Sequence, residues 1–313
     1  MARKKMQPAE VVLNFSLAAG TASDLKYIDL AQCESFVNRR LYPQGHNYYI
    51  SRVTFINATG GSCSIATLPD TWVTANAWVK AKALWNTMNK GVLADNPSIK
   101  GKWADFKVFF DKVHYDGGYT SAGPTLNILP IDMANAEIEP GEWYMSTYVS
   151  PQHDVNAGTG VELPADEYKA HMLGPDSGAA GSRGSAGIIA GYEATRARVQ
   201  IAPDVPADMQ TNWMTELSDL GGQDPELANV LEDANDNPPY DLDEYPGGAT
   251  NFIGGVPQTA LVTSTSLVVD KDIGFKVPLG LLKVMHVSQG TGNLIIHLTP
   301  GHHKGVMCTE VKQ

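Results

Sequence analysis

Apolar and polar positions alternate with period two near the amino terminus, and short apolar segments separated by turn residues recur along most of the chain. In Val11-Val12-Leu13-Asn14-Phe15-Ser16-Leu17 the residues Leu13, Phe15 and Leu17 fall on one side, the pattern of a half-buried strand. Residues 48–58 are rich in aromatic and β-branched types, and 62–68 follow the Gly60-Gly61 turn signal, so the two predict a hairpin. Further strands are expected at 106–113, 143–150, 188–201, 259–269, 276–289 and 293–299, about nine in all. One stretch changes period. From Thr74 to Leu93, Trp78, Ala81, Trp85 and Met88 recur at spacings of 3, 4 and 3, which makes one helical stripe, with Thr74 at its start and Gly91 at its end. Helical packing accounts for that stripe without a cofactor.

The connections at 114–140, 151–187 and 202–257 are too long for hairpin turns and read as insertions on a β framework. Residues 174–187 are dominated by Gly and Ser and are expected to form a flexible, exposed loop. Residues 202–257 hold twelve acidic residues and no Lys or Arg, with short helices expected near 211–220 and 225–234. The 30 Gly and 19 Pro, spread without period, suit the turns of an all-β protein. With 43% apolar and 18% charged residues the chain can pack a globule, and 313 residues fit one large β domain over 11–313 behind a short basic arm at 1–10. Cys33, Cys63 and Cys308 are odd in number and far apart, so reduced thiols are expected. No apolar run follows MARKKMQPAE and no stretch reaches the length of a membrane span, which points to cytosolic synthesis without membrane insertion.

A net charge of −11 argues against a dedicated nucleic-acid binder, whose affinity comes from Lys and Arg on phosphate. The average conceals an asymmetry. Residues 1–112 hold 14 Lys and Arg against 8 Asp and Glu, and the remainder holds 9 against 26. Arg3, Lys4 and Lys5 form a terminal cluster, also readable as a nuclear-import element, and Arg39-Arg40 follow; all five can meet phosphate without reading bases.

Catalytic motifs are missing. There is no GxxxxGK[ST] loop, GxGxxG fingerprint, HExxH site or GxSxG elbow; the nearest approach to the last, Gly184-Ser185-Ala186-Gly187, lacks its spacing. His286, His297, His302 and His303 gather near the carboxyl terminus, but no further metal ligands accompany them. Asp233-Ala234-Asn235-Asp236-Asn237-Pro238-Pro239 is similar to the calcium-collecting linker of cadherins. Asp233, Asn235, Asp236 and Asp241, with Asp243 and Glu244 nearby, make a calcium candidate to set against a polar surface turn. No cofactor is expected beyond a structural divalent cation there.

Asn38-Arg39-Arg40-Leu41-Tyr42, Leu68-Pro69-Asp70-Thr71-Trp72 with Asn76-Ala77-Trp78, Trp85 with Met88-Asn89, Phe106-Lys107-Val108, Pro140-Gly141-Glu142-Trp143, Tyr245-Pro246-Gly247-Gly248-Ala249 and Pro300-Gly301-His302-His303-Lys304-Gly305 run in order along the chain. Together they resemble capsid proteins of marine circular, replication-initiator-encoding single-stranded DNA (CRESS-DNA) viruses, from about residue 10 to the carboxyl terminus. The resemblance implies an all-β, eight-stranded jelly roll of two packed four-stranded antiparallel sheets, with long loops and a few short helices. It implies a non-enzymatic subunit of a homo-oligomeric icosahedral virion, made in the host cytoplasm. The arm would face a single-stranded DNA genome held without sequence preference. Many such proteins carry a long Arg-rich arm, whereas only Arg3, Lys4 and Lys5 stand here, which leaves charge for polyamines or divalent ions to neutralise. A carbohydrate- or calcium-binding β sandwich using the acidic loop, Tyr240 and Tyr245 is the alternative. A hydrolase is the least supported, because no carboxylate pair or metal triad stands out.

Overall fold

Alternating burial along the strands organises the computed structural model. It describes residues 7–19, 24–98, 105–117, 126–139, 141, 143–149, 167–177, 184–197, 244–263, 267–288 and 290–311. In chain order the elements are β1 (Val12–Leu17), β2 (Leu25–Asp29), α1 (Leu30–Asn38), β3 (His46–Asn57), β4 (Gly61–Thr67), α2 (Trp72–Asp95), β5 (Phe109–Asp111), α3 (Lys112–Gly117), β6 (Tyr148–Val149), β7 (Glu167–Leu173), β8 (Ser185–Gly187) and α4 (Ile188–Ala197). They continue with β9 (Val256–Thr263), β10 (Val268–Lys271), β11 (Phe275–Val277), β12 (Leu281–Ser288), β13 (Gly292–Leu298), β14 (Pro300–Gly301), β15 (Gly305–Val306) and β16 (Cys308–Glu310). The chain divides into two compact units, one of residues 1–70, 103–144 and 255–311, the other of residues 71–102, 145–254 and 312–313.

The first unit is built on two antiparallel sheets, consistent with a β sandwich. One runs β1-β13-β3-β10, with β11 and β16 also on β3; the other runs β2-β12-β4-β9. The alternation read in β1 places Leu13 opposite Ile296 and Phe15 opposite Leu294, all buried. Val53 and Phe55 of β3 add to the same face, while Val284 of β12, Ile65 of β4 and Leu261 of β9 are buried from the other sheet. The two inner faces meet where the Phe55 ring packs edge-on to His286 at 5.7 Å, and where Asn57 Nδ2 donates to Ser288 Oγ at 2.7 Å. Residue 292 must be small there, because a Cβ would lie 2.8 Å from the Phe55 ring.

Residues 126–131 join one edge of each sheet. Tyr27 N donates to Leu126 O at 2.7 Å, Ile128 N to Tyr27 O at 2.9 Å, and Ile131 N to Asn14 O at 2.7 Å. Backbone groups of β1 and β2 that would otherwise face outward are thereby paired.

Several sequence expectations are corrected here. The expected strand at 276–289 is two strands separated by a 3-10 turn at Pro278–Gly280, where Leu279 has φ 58° and Gly280 has φ 71°. The stretch 259–269 divides between β9 and β10, which belong to different sheets. Only Phe109–Asp111 of the expected strand 106–113 is extended, and the chain then turns into α3. β2 and α1 were not foreseen; α1 hides polar Gln32, Glu34 and Ser35 together with its apolar residues, so its sequence shows no clean stripe.

In the second unit, β7 pairs antiparallel with β6 and parallel with β8. Tyr148 of β6 stacks on Tyr168 of β7 at 5.7 Å, and its hydroxyl donates to Ala81 O of α2 at 2.8 Å. Helix α2 follows the predicted stripe, burying Trp78 and Ala81, but Thr71 caps it rather than Thr74, and it continues past Gly91 to Asp95. Of the expected strand 188–201, Ile188–Ala197 is instead helix α4, and 198–201 lie outside the described residues. Ile188, Ile189 and Tyr192 are buried at helical spacing, so packing overrides the β propensity of the paired isoleucines. Of the expected strand 143–150 only Tyr148–Val149 is extended. The Gly/Ser stretch is not simply an exposed loop: Ser177 and all of β8 are buried. The helices expected near 211–220 and 225–234 lie outside the described residues.

Candidate functional sites: the arm root and a buried polar layer

Residues 7–10, the root of the amino-terminal arm, are held by groups from three parts of the first unit. Asn38, the last residue of α1, mimics a peptide: Glu10 N donates to its Oδ1 at 2.8 Å and its Nδ2 donates to Glu10 O at 3.1 Å. Arg40 Nη1 donates to Pro8 O at 3.0 Å and to Lys304 O at 3.3 Å, and Tyr42 OH donates to Lys304 O at 2.8 Å. Gly305, at φ 104°, lies so close to Ala9 that a Cβ would stand 2.5 Å from the alanine side chain. The reversal that brings these groups together is local, since Arg39 takes a left-handed conformation at φ 49° and ends α1.

The candidate phosphate contacts therefore occupy different positions. Arg39 is exposed, whereas Arg40 is partly buried and directs its guanidinium to backbone carbonyls. Arg3, Lys4 and Lys5 lie outside the described residues. Lys304 Nζ donates to Leu41 O, and burial followed by the neighbouring Arg40 charge lowers its pKa.

Beneath the root sits Glu34, with 0% of its surface exposed. Its Oε2 accepts from Asn38 Nδ2 at 2.8 Å while Oε1 has no partner. Burial first, then the Glu10 carboxylate, pushes its pKa from 4.5 to about 8. Burial thus favours the protonated carboxyl.

The second candidate is a polar layer between the outer face of β2 and β12 and residues 105–114. Asp29 caps α1 by accepting from Ala31 N at 3.0 Å and Gln32 N at 3.2 Å, and it also accepts from Gln44 Nε2 at 3.1 Å. Gln44 in turn pairs with both backbone groups of Val108, at 2.7 and 2.9 Å. Burial raises the Asp29 pKa to about 7, against the pull of those donors and of Lys107. One turn of chain further on, Asp111 accepts from Tyr27 OH, from His114 N and from Lys283 Nζ. His114 stacks on Tyr27 at 4.3 Å and is kept neutral, since burial lowers its pKa to about 3. This arrangement fastens a segment to a sheet. Nothing in it presents a nucleophile to an external substrate.

Among the described residues, no group of three or more His, Cys, Asp or Glu could hold a metal. Asp233, Asn235, Asp236, Asp241 and Asp243 lie outside them; Glu244 is exposed. The four histidines do not converge: His286 is buried between the sheets, His297 is half-buried on β13, His302 is exposed, and His303 lies by His46 at 4.6 Å. Cys33 and Cys63 are buried free thiols and Cys308 is a half-buried one. Reading the sequence missed Asn38, Gln44 and the Lys283–Asp111 pair. The lone Lys283 inside Leu281-Leu282-Lys283-Val284-Met285 was the available signal, because a charge in an apolar strand needs a partner.

Compared with protein-family models, with curated proteins and with solved structures, the chain matches none.

Proposed function

We propose that this chain is a structural capsid subunit that assembles into an icosahedral shell around a single-stranded DNA genome. The observation that carries the reading is strand order. Lettered B to I, the strands β1, β2, β3, β4, β9, β10, β12 and β13 pair as B-I-D-G in one sheet and C-H-E-F in the other. This order supports reading the sandwich as a jelly roll, a double-sheet fold common to viral capsids and also used by lectins and cupins. Fold alone does not choose among these, so the surface has to.

Two surface features favour a shell. On the outer face of β12, β4 and β9, Met285, Ser64 and Ala260 form one row and Val287, Ser62 and Val262 the next, with no charge in either. Val262 is 60% exposed and Met285 39%. A second copy of the chain would bury such a surface. The clamped arm root supplies the other feature: a basic tail leaving a fixed point beside exposed Arg39 can touch phosphates while the body stays in register with its neighbours. Such contacts position the genome without reading it.

Size-exclusion chromatography and negative-stain microscopy of the purified chain test the proposal. Closed particles of uniform diameter are expected. A protein that stays monomeric across pH, salt and calcium would overturn it, and saturable binding of a glycan by that monomer would establish the lectin alternative.

A further inference from the structure

Buried in the second unit is a serine–histidine pair that the shell has no use for. His171 of β7 and Ser185 of β8 each have 0% exposure. Their Nδ1 and Oγ atoms are 2.7 Å apart, and the histidine Nε2 is 3.1 Å from Pro175 O. A carbonyl can only accept, so Nε2 carries the proton and Nδ1 offers its lone pair to the Ser185 hydroxyl. This is how a general base is oriented toward a nucleophile.

In the chain that hydroxyl directly follows the Gly184 carbonyl. Residue 184 is glycine, so no side chain shields its carbonyl carbon from Ser185 Oγ. The same carbonyl oxygen already accepts from Lys169 N at 3.1 Å, a donor placed for a developing oxyanion. Ser185 N donates to Ser177 Oγ at 2.7 Å, and Ser177 Oγ donates to Ser185 O at 3.0 Å. Asp176 Oδ1 accepts from Gly187 N at 2.8 Å, which pins the far end of the segment. Burial of both side chains excludes a bulky external substrate and leaves the peptide bond beside the hydroxyl as the group within reach.

We propose that the Gly184–Ser185 peptide bond is a self-cleavage site. Ser185 Oγ gives its proton to His171 Nδ1 and attacks the Gly184 carbonyl carbon through a five-membered ring. The C–O bond forms, Lys169 N–H holds the oxyanion, and the C–N bond breaks as His171 returns the proton to Ser185 N. The product is an ester joining the Gly184 carboxyl to Ser185 Oγ, with a free α-amine on Ser185. Water then hydrolyses the ester, leaving a Gly184 carboxylate and the serine hydroxyl. No oxidant, metal or cofactor is needed, and the only co-reactant is water. The reaction is a single turnover per chain and is independent of whether the chain builds a shell.

The test is intact-mass spectrometry of the purified full chain during incubation at neutral pH, with and without hydroxylamine. Two fragments should appear whose masses sum to the chain plus one water, with Ser185 as the new amino terminus. Hydroxylamine should speed cleavage and leave a hydroxamate on Gly184. Ser185→Ala should abolish cleavage, and Ser185→Cys should restore it through a thioester. Restoration by cysteine separates chemistry from loss of fold. A wild-type chain that keeps one mass in both conditions, or a Ser185→Ala chain that fragments equally, overturns the proposal. Particle formation is read separately, so failure here leaves the capsid reading untouched.

Discussion

Lys283 Nζ stands 2.7 Å from Asp111 Oδ2, with side-chain exposures of 14% and 6%, and this ion pair fixes the 105–114 segment to the outer face of its sheet. The Tyr27 hydroxyl shares the carboxylate, and the Tyr27 and Phe110 rings lie 5.7 and 5.8 Å from the ammonium. Removing one member strands a buried charge. Asp111→Ala should therefore lower stability in urea unfolding by about 3–5 kcal/mol, and Asp111→Ala with Lys283→Met should recover much of that loss. Equal stability of the two variants would mean that the pair is not buried.

Glu34 should make the protein less stable as pH rises. Its folded pKa of about 8 lies above the usual 4.5, so the folded state holds a proton that the unfolded chain releases between those values. The loss amounts to about 1.4 kcal/mol per pH unit over that window and then levels off. Glu34→Gln, which keeps the acceptor for Asn38, should match the wild type near pH 4.5 and exceed it increasingly up to pH 8. Thermal melts of both proteins across this range check the sign; parallel curves would count against a protonated Glu34.

His114 predicts the opposite slope on the acid side. Its pKa falls from 6.5 to about 3 on folding, so stability that is present above pH 6.5 should be lost as the pH drops toward 3. His114→Gln should flatten that part of the melting-temperature profile.

The uncharged rows on β12, β4 and β9 should decide assembly. Val262→Asp and Met285→Glu each place a charge on an exposed strand position, so the monomer should fold with an unchanged melting temperature. Particles should disappear in size exclusion and microscopy. Particles formed by both variants would move the contact to another face.

Of the two described arginines proposed to meet phosphate, Arg39 is exposed while Arg40 holds the arm root. Arg39→Ala should reduce the salt dependence of single-stranded DNA binding by a slope of about 0.7, the release expected for one phosphate contact on a single strand. Arg40→Ala should act differently, loosening residues 7–10 and raising their hydrogen exchange. A fluorescence titration at several salt concentrations, with exchange measured in parallel, distinguishes the two.

The sequence alone determined the local facts about this protein. Alternation marked β1, aromatic and β-branched content around a Gly-Gly turn marked β3 and β4, and the 3-4-3 stripe marked α2 because Trp78 and Ala81 pack on one side. Where burial is not one-sided, the signal failed. Helix α1 hides polar groups among apolar ones, and α4 carries paired isoleucines that read as strand. Ser185–Gly187 looks like loop by composition but is buried against β7. Only the tertiary structure decided which strand pairs with which. Every half-buried strand presents the same alternation, so nothing local tells β1 that its partner is β13, near the other end of the chain. The same holds for the sites. Asn38 with Glu10, Asp111 with Lys283 and His171 with Ser185 are ordinary residues in sequence, and folding alone brings each pair within hydrogen-bonding distance.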